Sequence, residues 1–454
     1  MLAILTVAIP ATLVTYPAPS ATFPSGPFNI SVTEGAGTPQ TSFVYHSAAP
    51  SNGPGAQKGK SMSWSTFSFA GTVSVAVTPQ KNWTNVVLRP TSLGLTASRV
   101  GDAAVFSLAQ QTKVIVEFDG DTKDSLIVFG DDLEEHLPLR EGDIEFGPGV
   151  HDINQSFTVP KGARVHLAGG AWVRGTLASK AAAHGATIEG RGVLSGELLA
   201  HPSSATDALA MLNLCGNDIT VRGLTIVNPP TYMVNLNPYW KGCIEQRSLV
   251  ENVKAMGWHY TSDGIMVGRN SIVQDCYVRA NDDSLKLYMS HTRWERNLIW
   301  QLDNGWPLML SWNTMSNEHN ISVTDTVVVH VEHTGDTHGA RAVVGAVHGG
   351  TAHLSNYRFE NLVVEGPVFR PFGITVQKTQ FGPFDTGTIS DLTFRNFAFE
   401  GAAKSDSKLD GNVSQIAFYN LSLEGTVVSS AQEGHFQLGE AVTDVTFSPA
   451  AIGD

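Results

Sequence analysis

"SDGIMVGRNSIVQDCYVRANDDSLKLY", Ser262–Tyr288, holds two short strand-like runs about twenty residues apart, each led by aspartate. Asp263 precedes "GIMV", and Asp282 and Asp283 precede "SLKL". Two such segments can be laid one over the other, so the stretch reads as two successive coils of a repeat.

The rest of the C-terminal part extends that repeat. "VRGLTIVN", "VENVKAMG", "VQDCYVRA", "WERNLIWQ", "VTDTVVVH", "FENLVVEG", "FRNFAFEG" and "FYNLSLEG" each place a small or amide-type residue before a short strand. Taking those markers as Gly223, Asn252, Asp275, Asn297, Asp325, Asn361, Asn396 and Asn420, the intervals are 29, 23, 22, 28, 36, 35 and 24 residues. A variable period with a fixed phase marker predicts a right-handed parallel β-helix, whose coils stack strand on strand while loops of free length bulge outward. Asn at one turn of each coil can form an amide ladder. Such irregular spacing excludes leucine-rich and helical solenoids.

Upstream the texture differs. "GTVSVAVTP", "TNVVLRP", "AVFSLAQQTKVIVEFDG" and "SLIVFG" alternate with period two between turn signals, the pattern of an antiparallel β-sandwich. The expected division is a leader over residues 1–20, a β-sandwich over 21–140 and the β-helix over 141–454, an all-β chain. With 44 Gly and 22 Pro in 454 residues and no long 3.6-residue apolar period, helices should be few and short.

"MLAILTVAIPATLV" has the apolar run of a secretory leader, without a basic start, and is too short to span a bilayer. Secretion is expected, with mild support from sequons at Asn29, Asn82, Asn154, Asn320, Asn412 and Asn420. Cys215, Cys243 and Cys276 allow one disulfide with one thiol left over. Net charge is −13 with no Lys/Arg cluster, which argues against nucleic acid or an anionic membrane as partner.

Placing "GIMV" beside "SLKL" sets Asp263 level with Asp283 one coil away, about 4.8 Å. The marker alignment sets Asp282 and Asp283 level with Asn304 and Gly305. Carboxylates this close repel, and at least one should hold its proton above the usual range. Turn caps or a Ca²⁺ site could also use such residues, but the regular Asp/Gly repeats of calcium loops are absent. Polysaccharide hydrolysis needs such a mixture of protonated and ionised acids. Around the acids, Trp258, Tyr260, Trp306 and Trp312 are candidate sugar-stacking faces, and Lys286, alternating with Leu285 and Leu287, should face outward to bond substrate. His330, His333 and His338 in "HVEHTGDTH" lie on a strand and loop that would turn them apart, so no metal and no cofactor is expected.

At "DGIMV", "NDDSLKLY" and "LIWQLDNGWPLMLSW" the sequence resembles glycoside hydrolase family 49, the dextranase and isopullulanase family of inverting endo-hydrolases, within the wider polygalacturonase-like β-helix enzymes. The nineteen-residue interval from Asp263 to Asp282 fits the family spacing. The resemblance implies Asp282 as general acid, Asp263 and Asp283 as the pair that activates water, a dextran-like or pullulan-like α-glucan as substrate, and a monomer without cofactor. Inversion implies an acid–base separation of about 6.5–9.5 Å. Polygalacturonases share an Asn-Thr-Asp, a Gly-His-Gly and an Arg-Ile-Lys. Here the leading acid sits in "TSDG", the nearest histidine motif is "HGG" at His348, and no Arg-Ile-Lys occurs, so a neutral glucan is favoured over galacturonan. A polygalacturonase-like hydrolase, a non-catalytic carbohydrate-binding β-helix and a lyase remain as alternatives.

Overall fold

The structure, a computed structural model, describes residues 12–51, 55, 57–135, 138–202, 210–237 and 247–449. Among these the chain is all β apart from one 3₁₀ turn, Thr91–Leu93. It divides into two compact units, residues 1–48 with 59–139, and residues 49–58 with 140–454.

The first unit is a β-sandwich. Its six-stranded sheet runs Leu13–Thr15, Ser61–Phe69, Asp124–Asp132, Thr112–Phe118, Val86–Arg89, with Val44–Ala48 also on Ser61–Phe69. Its five-stranded sheet runs Gln40–Ser42, Phe28–Glu34, Val73–Pro79, Ala103–Leu108, Ser98–Val100. Alternation does the sorting. Val73, Val75 and Val77 point inward against Phe28, Ile30 and Val32, while the residues between them reach the surface. One pairing departs from the expected antiparallel pattern, since Asp124–Asp132 runs parallel to Ser61–Phe69 over nine residue pairs. Much of the apolar leader segment (residues 1–11) lies outside the described residues. The part that follows contains Leu13–Thr15, which pairs with Phe67–Phe69 and buries Leu13, so a boundary at residue 20 cuts through this sheet.

The second unit is a right-handed parallel β-helix built on a 30-stranded sheet that winds through three stacks. One inward column of the first stack explains its stability. Ile188, Val221, Val250, Val273, Trp294, Val323, Phe359, Phe394, Phe418 and Phe447 are register partners in consecutive coils. All but Phe447 are buried, each burial being worth roughly 1.5–3 kcal/mol. The last four rings stack at 4.7, 5.0 and 4.8 Å, one strand spacing apart.

The phase markers sit at the corner after this column. Asn252, Asp275, Asp325, Asn361, Asn396 and Asn420 all have positive φ, which Asn and Asp tolerate better than other side chains. The amide ladder is present where Asn361 Nδ2 donates to Asp325 Oδ1 (3.1 Å), Asn396 to Asn361 (3.0 Å) and Asn420 to Asn396 (3.0 Å). The marker in "WERN" is shifted by one. Arg296 takes the left-handed corner at φ 52°, with its guanidinium on Asp275, while Asn297 turns inward and accepts Cys276 N–H through Oδ1 at 3.0 Å.

Cys215 is disulfide-bonded and Cys276 is a buried thiol; Cys243 lies outside the described residues. No helix among the described residues is long and apolar enough to cross a membrane.

Candidate active site

The acids occupy the corner between the second and third stacks. Ile265–Met266 and Leu285–Lys286 are adjacent third-stack strands with Ile265 opposite Leu285. Both are fully buried, which turns the alternate residues Met266 and Lys286 to the other face. Asp263 therefore lies level with Asp283, and Gly264 N–H donates to Asp283 O at 2.9 Å. A Cβ on Gly264 would stand 2.2 Å from Ser284 O, so this approach of the two coils requires glycine.

The register one coil further differs from the marker alignment. Ala280 pairs with Gln301, yet Leu285 pairs with Leu308, so the next corner is two residues longer. Asp282 thus lies level with Gly305, and Asp283 with Trp306. Gly305 has φ 78°, and a Cβ there would meet the Asp282 carbonyl carbon at 2.1 Å.

One carboxylate oxygen from each of Asp263, Asp282 and Asp283 lies within 4.8 Å of the other two. Measured at nearest oxygens, this is tighter than the about 6.5–9.5 Å expected between an inverting acid and base. Asp263 and Asp283 are buried at 5% and 0% exposure, while Asp282 is half-buried. Asp282 Oδ2 accepts Thr261 N–H (2.8 Å) and Asn304 Nδ2–H (2.9 Å); its Oδ1 accepts Asp283 N–H (3.0 Å). Asp283 Oδ1 accepts Trp306 N–H (3.2 Å), and its Oδ2 accepts Trp312 Nε1–H (3.0 Å) and the Tyr288 hydroxyl (3.4 Å).

Lys286 is the counter-charge inside this cluster. Its Nζ bonds Asp263 Oδ1, stands 3.7 Å from Asp283 Oδ2, and lies 4.9 Å from the Tyr232 ring centre. Burial raises Asp263 well above its ordinary value, Lys286 opposes this, and Asp282 and Asp283 push further up. Burial likewise pushes Asp283 up to about 6 against the pull of Lys286. Burial works to lower Lys286, yet Asp263, Tyr288, Tyr232 and Asp283 hold it well above the usual lysine range. Lys286 pulls Tyr232 down most strongly, but burial and the three acids leave it at about 12.

The three aspartates are also, among the described residues, the group whose spacing could hold a metal ion. The Lys286 ammonium already meets two of them from within, and a cation there would face it directly. His330, His333 and His338 do not gather with one another; His330 lies 4.5 Å from Trp300 and His338 lies 4.9 Å from Trp312.

Two expected stacking faces are not available. Trp258 is buried with the Arg279 guanidinium 4.7 Å from its ring, and Trp306 is buried with its indole N–H on Ala340 O. Both fill space under the corner, where a large apolar ring is stabilised by burial. Tyr260 is 37% exposed and Trp312 half-exposed beside the acids. Trp312 packs edge-on against Phe381, 53% exposed, at 5.2 Å. Phe381, Asn304, Thr261, Tyr232 and Tyr288 were not singled out by motif; the "DNG" turn at Asn304 was a readable signal, and Phe381, from a loop about 100 residues on, was not.

Residues 49–58 join this unit, since Asn281 Nδ2 donates to Gly55 O at 2.8 Å and Gly55 lies against the Tyr260 ring. His348 of "HGG" is a buried, bonded histidine, shared between Ser311 Oγ and Ala352 O. A separate cavity of about 610 Å³, lined by Phe399, Ser405 and His435 among others, lies in the C-terminal coils and holds none of the acids.

No family model matches the chain. It is 26% identical over 359 residues to a dextranase of Arthrobacter sp. (strain CB-8), covering 67% of this chain and 54% of that protein. It is 23% identical over 454 residues to an isopullulanase of Aspergillus niger, covering 84% of this chain and 75% of that protein. The chain thus spans about half the length of the dextranase. Its fold matches Dex49A from Penicillium minioluteum with a TM-score of 0.70 at 17% identity, covering 96% of this chain and 99% of that one. The chain is a homologue of the dextranases and the isopullulanase.

Proposed function

We propose that this protein is a secreted endo-glycoside hydrolase that cleaves an α-linked glucan, dextran-like or pullulan-like, by general acid/base catalysis with inversion. The observation that carries this reading is the unequal exposure of the three carboxylates. Asp282 alone is accessible, while Asp263 and Asp283 are buried behind it and tied to Lys286.

Asp282 protonates the leaving oxygen. Its Oδ2 already accepts two N–H donors, so the transferable proton is confined to Oδ1, which accepts only one. Burial and the neighbouring acids push Asp263 and Asp283 above the usual aspartate range against the pull of Lys286, so the buried pair keeps protons to higher pH than free aspartates do.

Asp263 and Asp283 orient and activate the water. Both Asp283 oxygens accept hydrogen bonds and Asp263 is ion-paired, which weakens either as a direct nucleophile and favours attack by water. Inversion follows from that argument, against the short carboxylate spacing, which alone would favour retention. Tyr260 and Trp312 offer ring faces to the sugar. Lys286, held by its carboxylates, acts on substrate through them; that also leaves it a poor base for a lyase and a poor partner for a galacturonate carboxylate.

Reducing-end release from dextran, pullulan, polygalacturonate and a β-glucan tests the substrate class. The reading expects release from dextran or pullulan; release from polygalacturonate alone overturns it. Proton NMR of the first-formed product tests the stereochemistry. An α-anomer from an α-glucan would mean retention, and would make a buried aspartate the nucleophile.

A further inference from the structure

Asp282, Gly305 and Arg341 hold the same position in three consecutive coils, three residues before the register partners Leu285, Leu308 and Val344. Two coil spacings, about 10 Å, separate the first from the third. Between them Gly305 offers no side chain, and the amide of Asn304 spans the gap. Arg341 Nη2 donates to Asn304 Oδ1 at 2.9 Å, and Asn304 Nδ2 donates to Asp282 Oδ2 at 2.9 Å.

Every polar atom of Asn304 is engaged. Its N–H donates to Asn281 Oδ1 at 3.0 Å and its carbonyl accepts Gln301 Nε2. Arg341 is itself buried and fixed, with Nη1 on Gly335 O at 3.4 Å and its backbone N–H on Asp336 Oδ1 at 3.1 Å. An amide can turn over, exchanging its oxygen and nitrogen. With Arg341 in place the turned form would set donor against donor on one side and oxygen against carboxylate on the other.

We propose that Arg341 is a positioning residue for the reaction: by holding Asn304 Oδ1 it fixes Nδ2 on Asp282 Oδ2 and so leaves Oδ1 as the proton-carrying oxygen. This rests on the proposed role of Asp282 as the acid. Without Arg341 the Asn304 oxygen can face Asp282 and accept its proton, stabilising the protonated form and misdirecting it. Among the described residues, the charged and titratable groups that interact with Asp282 are Asp263, Asp283, Tyr232, His338 and Arg341. Among them Arg341 is the one that reaches it through a neutral amide.

The test is a double-mutant cycle on dextran with wild type, Arg341→Met, Asn304→Leu and the double variant, with Arg341→Lys as the conservative control. Arg341→Met and Asn304→Leu should each lower kcat by about 10-fold or more with KM within about twofold, the pattern of a lost transition-state contact. The alkaline limb of kcat should move to higher pH in both, because the ionised carboxylate loses a donor. Adding Arg341→Met to Asn304→Leu should cost nothing further, and Arg341→Lys should restore most of kcat. Additive losses, an unmoved limb or a change in KM alone would overturn the relay. If Arg341→Met does not fold, the pH profile of Asn304→Leu decides in the same way. Wild type inactive on α-glucans, or Asp282→Asn still active, would bring down the underlying reading; an inactive Asp282→Asn with an additive cycle would bring down the relay alone.

Discussion

Lys286 bonds Asp263 across the boundary between two coils, and the same ammonium stands 3.7 Å from Asp283 Oδ2 on its own coil. One buried cation thus holds together the two acids assigned to the water. Lys286→Met should destabilise the protein by roughly 3–5 kcal/mol, the cost of leaving a buried ion pair half-made. The remaining acids would take up protons more readily, so the acidic limb of kcat should move to higher pH. Denaturant unfolding and a pH–rate profile check both; an unchanged acidic limb contradicts the pairing.

Asp283 makes stability depend on pH in an unusual direction for an aspartate. Its carboxyl is pushed from an ordinary 3.8 to about 6, so between those values the folded chain holds a proton that the unfolded chain has released. That contribution is fully present below about pH 4 and is lost as pH rises through about 6. Asp283→Asn removes it. The variant should therefore gain in Tm relative to wild type as pH rises from 4 to 7, measured by thermal melts in matched buffers. A relative loss over that interval contradicts the assignment.

Trp312 combines two roles that substitution can separate. Trp312→Phe keeps a ring against Phe381 but removes the indole N–H from Asp283. Loss of one hydrogen bond to a charged group predicts a fall in kcat of about 10-fold with little change in KM. Trp312→Ala should raise KM as well. Equal KM values for the Phe and Ala variants would remove the ring from substrate binding.

Gly305 is required twice, by its φ of 78° and by the Asp282 backbone 2.1 Å from where a Cβ would stand. Gly305→Ala should cost roughly 2 kcal/mol or more and displace the acid-bearing corner. Activity measured well below the variant's Tm should fall further than its unfolded fraction accounts for. Full activity in a merely less stable protein would show that the corner tolerates the shift.

How far the sequence reached can be followed at these same residues. The level placement of Asp263 and Asp283 was legible, because "GIMV" and "SLKL" each put an apolar residue inward and parallel strands keep that register. The marker alignment places the next coil one residue out of register, because two extra residues in the Asp303–Pro307 region leave no mark on the periodicity. Asn297 is the expected corner residue because Arg rarely signals a left-handed turn, yet Arg296 occupies it. Trp258 and Trp306 carry the same local signal as Trp312; only the packed corner distinguishes a ring filled around by side chains from one left open. Lys286 points away from the core, as its alternation with Leu285 and Leu287 requires, yet it is buried between Asp263 of the preceding coil and Asp283 of its own. Phe381 and Arg341 reach the site only through the winding of the helix.

The most direct measurement is reducing-end release from dextran by wild type and Asp282→Asn side by side, with Tm recorded for each. The account predicts steady release by the wild type and a loss of about 10³-fold or more in the variant at nearly unchanged Tm, the scale expected for removal of a general acid. Comparable rates from the two folded proteins would contradict it.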